Sequence, residues 1–163
     1  MIIAVGADHA GFDLKECLRA ELSRMGHQVI DVGCTSRDPC DYTEYARQVA
    51  FNVVEGKAEL GVLVCSTGIG TSITANRYSG VRAALCHNCD MAYVARSHND
   101  ANILVLGSRY VTVLDANAML RVFLGTGFSR EERHRRRIQK IDSRQQAYND
   151  VSSYIISKVD NSG

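Results

Sequence analysis

The stretch Leu60-Gly-Val-Leu-Val-Cys65-Ser-Thr-Gly-Ile-Gly-Thr-Ser72 decides the fold. A run of buried-strand residues ends in a cysteine. The chain then turns through Ser66, Thr67, Gly68 and Gly70 into a helix predicted to begin near Thr71. Two glycines allow a tight turn that aims backbone N–H groups into a common space, and the helix start adds positive potential. A thiol beside such a nest faces whatever anion the nest holds. That pairing suits the removal of a proton from carbon with an oxyanion left behind.

Outward from this segment, short apolar strands alternate with helical segments. Strands are predicted at 2–7, 28–32, 60–65, 82–86 and 103–106, and helices at 12–25, 42–55, 71–77, 89–96 and 114–124, with a basic helix from about Arg130. Strands rich in Val, Ile and Leu with little alternation are buried on both faces, as in a parallel sheet under helices. The expected class is α/β: a three-layer α/β/α, Rossmann-like domain with a five-stranded parallel sheet. A single domain is expected over 1–152, with 153–163 a loosely held tail.

The 163 residues suffice for one substantial core. A net charge of +1 offers no bulk attraction to nucleic acid or membrane, so neither is expected as a partner. No apolar run reaches transmembrane length, and Met1-Ile-Ile-Ala-Val5 reads as a strand rather than a signal segment. Of six cysteines (17, 34, 40, 65, 86 and 89), Cys17, Cys65 and Cys86 fall in apolar patterns, where free cysteine acts as a small hydrophobe. A reduced, cytoplasmic protein is expected.

In parallel sheets ligands bind beyond the carboxyl ends of the strands. Asp8-His9 follows the first strand and Cys65 to Gly70 follow the third, so both belong to that edge. His98 precedes the fifth strand and falls at the amino edge. For His98 to serve a site built on Cys65, it must come from another subunit. A homodimer is therefore expected.

Each motif has a plainer reading. A Gly-x-Gly turn is common in α/β proteins, and a lone cysteine is more often core than catalyst. A tyrosine-phosphatase site needs an arginine six residues after the cysteine, where this chain has Thr71. Asp8-His9 reads as an acid–base pair or as a helix cap. Cys86-His-Asn-Cys89 lacks the second ligand pair of a structural zinc site, so no metal is expected. In Arg130-Glu-Glu-Arg-His-Arg-Arg-Arg137, Arg133 and Arg137 are spaced i, i+4 and can grip a phosphate together, or the helix is simply solvated.

Taken in order, Gly6-Ala-Asp8-His9-Ala-Gly-Phe12, Asp41-Tyr42, Cys65 to Ser72, Gly80-Val-Arg-Ala-Ala-Leu-Cys86, Ser97-His98-Asn-Asp-Ala-Asn102 and Glu132-Arg133-His-Arg-Arg-Arg137 resemble the ribose-5-phosphate isomerase B family. That family includes galactose- and allose-6-phosphate isomerases, and the resemblance spans about residues 2–142. It implies a homodimer or tetramer with a shared active site, needing neither metal nor other cofactor, that interconverts ribose 5-phosphate and ribulose 5-phosphate. A six-carbon phosphosugar is the alternative substrate, and a non-catalytic phosphosugar-binding module the alternative from another class.

By matching motifs, Cys65 would move the proton between C1 and C2, and Thr67 would serve the sugar oxygens. The backbone of Ser66, Gly68, Ile69 and Gly70 would hold the enediolate. His98 would open the ring, with Asn99 beside it, while Asp8, His9 and Tyr42 would contact the substrate. Arg109, Arg133 and Arg137 would bind the phosphate, assisted by His134. A second family branch replaces the cysteine by a glutamate in the nest; here that position is Thr71, so the cysteine branch applies. Departures are Ser66, where glycine is frequent, and the charged stretch from Ser129 to Glu132.

Overall fold

The computed structural model describes residues 1–143; the end of the domain expected at 152 and the tail at 153–163 lie outside them. Two compact units are resolved, Met1–Ser129 and a second beginning at Arg130. The first carries β1 (Ile2–Ala7), α1 (Phe12–Arg24), β2 (Gln28–Asp31), α2 (Tyr42–Val54), β3 (Leu60–Cys65), α3 (Ile69–Ala75), β4 (Ala83–Leu85), α4 (Cys89–Asn99), β5 (Ile103–Gly107) and α5 (Val113–Gly125). In the second, the described element is α6 (Glu132–Asp142).

The five strands form one parallel sheet in the order β2-β1-β3-β5-β4. From β1 the chain steps outward to β2 and then crosses back past β1 to β3, so strand order reverses between β1 and β3. Such a switch point opens a crevice at the carboxyl edge. With right-handed crossovers, helices after leftward and rightward steps fall on opposite faces. The core divides accordingly. Leu14, Leu18 and Leu22 of α1, Ala92 and Ala95 of α4, and Met119, Leu120 and Phe123 of α5 pack on Ile3, Val5, Val62, Val64, Leu104 and Leu106. Across the sheet, Ala46, Val49 and Ala50 of α2 and Ala75 of α3 pack on Ala4, Leu63, Ile103 and Val105. Alternate residues of each strand thus serve different cores. This is why β3 is apolar throughout and every one of its residues is buried.

Element boundaries depart from the sequence expectation where side chains set them. Helix α3 starts at Ile69, two residues before the predicted Thr71, because Gly68 takes the left-handed conformation (φ +78°) that launches it. Helix α4 passes Arg96 and includes His98 and Asn99. Ser97 is buried and returns its hydroxyl to the Tyr93 carbonyl at 2.8 Å, satisfying a weak helix former inside the helix. The turn ends at Asp100 (φ +44°), whose carboxylate meets Arg96 at 2.8 Å. Cys17, expected in the core, is exposed, whereas Cys65 and Cys86 are buried as expected; all six cysteines are free thiols.

Candidate active site at the carboxyl edge

Three loops converge where strand order reverses. The first follows β1. Asp8, 6% exposed, accepts the Gly11 N–H on Oδ1 at 3.0 Å and so folds its own loop. Gly11 lies so close to the end of β3 that a Cβ would stand 2.6 Å from the Val64 carbonyl oxygen. His9 Nδ1 sits against the Cys40 backbone, 3.2 Å from its N–H and 3.3 Å from its carbonyl oxygen, which fixes the ring to the loop before α2.

The nest after β3 closes on its own cysteine. Gly68 donates its N–H to Cys65 Sγ at 3.0 Å, and the Thr71 hydroxyl lies 3.6 Å from the same sulphur and 3.1 Å from the Gly68 carbonyl. Ile69 donates its N–H to Thr67 Oγ1 at 3.3 Å. The amides of Gly70 and Thr71, in the first turn of α3, fall outside the helix's own ladder. Tyr42, at the start of α2, stacks over the nest: a Cβ on Gly70 would stand 2.4 Å from the Tyr42 ring.

The third loop follows β5 and stitches the other two. Ser108 donates its N–H to the Cys65 carbonyl at 2.9 Å, and its hydroxyl reaches the carbonyls of Ala10 and Cys65 at 2.9 and 3.2 Å. Arg109 donates its N–H to the Ser66 carbonyl at 3.0 Å. Gly107 has no room for a side chain, since a Cβ would meet the Thr67 carbonyl at 2.6 Å.

Asp8, His9, Tyr42, Cys65, Ser66, Thr67, Gly68, Ile69, Gly70 and Arg109 are thus brought to one edge. His98 and Asn99 are not. They occupy the last turn of α4, at the amino edge, and Asn99 lines a separate cavity of about 290 Å³ with Asp90 and Met91. Arg133, His134 and Arg137 lie on α6 in the second unit, with Arg133 Nε paired to Glu131 at 2.8 Å.

A cavity of about 460 Å³ opens beside the nest, lined by Thr67, Ile69, Leu85, His87 and Tyr110. The rings of His87 and Tyr110 meet edge to face with centroids 6.2 Å apart. Sequence alone assigns no role to Leu85, His87 or Tyr110. The signal was their position at the carboxyl ends of the fourth and fifth strands, where ligands bind in such sheets. Among the described residues no group of three or more His, Cys, Asp or Glu is placed to hold a metal ion. None of the described helices is long and apolar enough to cross a membrane.

Comparison with known proteins places this arrangement among relatives. The profile of the ribose/galactose isomerase family matches residues 3–141. Ribose-5-phosphate isomerase B of Escherichia coli is 41% identical, covering 90% of this chain and 98% of its own. Among solved structures, a ribose 5-phosphate isomerase of Thermotoga maritima superposes with a TM-score of 0.84 at 47% identity, covering 86% of this chain and 97% of its own. Ribose-5-phosphate isomerase B of Clostridium thermocellum gives a TM-score of 0.88 at 39% identity, covering 91% and 99%.

Proposed function

The chain belongs to the ribose/galactose isomerase family and is an isomerase; from that premise we propose that it interconverts D-ribose 5-phosphate and D-ribulose 5-phosphate through an enediolate, with Cys65 as the base. The observation that carries the reading is the convergence of two donors, the Gly68 N–H and the Thr71 hydroxyl, on one buried sulphur. Both set a donor against the atom that takes the proton in this reading.

In the open-chain aldose, Cys65 takes the proton from C2, and the electron pair moves into the C1–C2 bond as the carbonyl oxygen becomes an enediolate oxygen. Return of the proton to C1, with transfer of the hydroxyl proton between oxygens, completes the ketose. A C–H beside a carbonyl is a very weak acid, so the step needs donors at the oxygen. Nest amides and Thr67 lie within the same turn and suit that role.

The furanose must first open, a task for an acid–base group such as His98. This residue sits in the last turn of α4, which runs back from β4, so within one chain it is separated from Cys65 by a strand length of about 17 Å. A second copy of the chain, related by a twofold axis, supplies it in this reading. Asp8, His9, Tyr42 and Asn99 orient the sugar, and Arg109, Arg133 and Arg137, with His134, hold the phosphate. Steady-state kinetics with ribose 5-phosphate beside allose 6-phosphate tests the proposal. A higher kcat/KM for the five-carbon sugar is expected, and the reverse would reassign the substrate to a six-carbon phosphosugar.

A further inference from the structure

Ser108 stands where three strands end, and the isomerisation above gives it no part. It follows β5, which neighbours β3 in the sheet, while β1 lies one strand further on. Its hydroxyl nevertheless reaches the Ala10 carbonyl at 2.9 Å, across the end of β3 and 98 residues back along the chain. The same hydroxyl lies 3.2 Å from the Cys65 carbonyl, which already accepts the Ser108 N–H at 2.9 Å. A serine hydroxyl has one proton to donate. The amide suffices for the Cys65 carbonyl, and the shorter hydroxyl contact brings in the loop after β1. That loop is closed on itself. Gly11 donates its N–H to the carbonyl and to Oδ1 of Asp8, at 3.1 and 3.0 Å, so Asp8 to Gly11 form one turn. Ala10 lies inside the turn, and a bond to its carbonyl sets where Asp8 and His9 stand relative to Cys65.

We propose that Ser108 is a positioning residue of the isomerase: its hydroxyl holds the Asp8-His9 turn at the separation from Cys65 that lets the base reach C2 of the bound sugar. This rests on the proposed function above, with Cys65 as the base and Asp8 and His9 orienting the sugar. Ser108 acts through two carbonyls, one on each side of the crevice, and so sets the distance between the group that orients and the group that reacts. A misplacement of about 1 Å can cost about a hundredfold in rate. The phosphate is held by arginines in the same reading, so loss of the bond falls on kcat and leaves KM largely as it was.

The experiment compares Ser108→Ala and Ser108→Thr with wild type as full-length chains. Alanine removes the hydroxyl but keeps the amide bond to Cys65, and threonine restores the hydroxyl. Without sugar, the Ala10 carbonyl carbon resonance, which follows hydrogen bonding at its oxygen, should move upfield in Ser108→Ala and return towards wild type in Ser108→Thr. With ribose 5-phosphate, Ser108→Ala should lower kcat about ten- to a hundredfold and change KM less than about threefold. Ser108→Thr should recover most of that kcat. A serine that only stabilises the fold would lower the melting temperature and leave kcat per folded molecule unchanged, and that result would overturn the role. A threonine variant as slow as alanine, or an unmoved Ala10 resonance, would overturn it too. Wild type inert towards ribose 5-phosphate would sink the proposed function and this role with it. The Ala10 resonance, read without sugar, keeps that failure distinct from failure of the bond.

Discussion

Gly68 donates its N–H to Cys65 Sγ at 3.0 Å, so the residue that lets the chain turn also holds the sulphur. Its φ of +78° favours glycine, and an added Cβ would stand 2.4 Å from Leu85 Cδ1. Gly68→Ala should therefore lose about 1–2 kcal/mol from the left-handed backbone alone, with more from the clash. Thermal unfolding should show the drop, and kcat should fall with it because the amide no longer aims at the sulphur.

In the proposed mechanism the sulphur acts in proton transfer rather than in holding phosphate, so Cys65→Ala should cut kcat by orders of magnitude while substrate still binds. Thr71→Val keeps the shape but removes the hydroxyl 3.6 Å from Sγ. Alkylation of Cys65 by iodoacetamide at neutral pH should slow in that variant. Retention of most kcat in Cys65→Ala would sink the assignment of the base.

Mixing experiments test the proposal that two copies of the chain share the site. Homodimers of Cys65→Ala and of His98→Asn should each be nearly inactive. A mixed dimer has one site with both lesions and one with neither, so re-association should restore about a quarter of wild-type activity in a statistical mixture. A fully active monomer by light scattering would contradict this.

Arg133 and Arg137 share one face of α6 at i, i+4 spacing. Replacing either by alanine should cost about 1.5–3 kcal/mol of phosphate binding, a rise in KM of roughly ten- to a hundredfold, with kcat less affected. Steady-state kinetics on the single variants reads this directly. An unchanged KM in both would restore the solvated-helix reading.

Acid should expose the Glu21 network. Hydrogen bonds from Arg24 and then Arg121 lower the Glu21 carboxyl to about 2 from an ordinary 4.5. A depressed carboxyl contributes stability that is present above the unfolded value and lost as pH falls from about 4.5 towards 2. Wild type should thus melt above Glu21→Gln at pH 7, and the gap should close across that acid window.

The fold was legible because apolar strands without alternation have one explanation, two covered faces, and because glycines mark the turns. The placement of Asp8-His9 and Cys65 at one edge followed from chain direction alone. Illegible were contacts made by residues distant in sequence. His87 and Tyr110 meet only because β4 and β5 are neighbours, and Tyr42 covers Gly70 only because α2 returns over β3. The extension of α4 through His98 was hidden for another reason. Buried Ser97 and the Arg96–Asp100 pair sustain a turn that local propensity disfavours.

The strand that ends in Cys65 sits at the middle of the sheet, paired on both sides and sealed above and below. Its amides should be among the last to exchange with deuterium, opening only when the whole unit opens. The sulphur therefore has no private route to disorder. Heating should abolish catalysis and melt the sheet in one step, so residual activity after a heat pulse would count intact molecules.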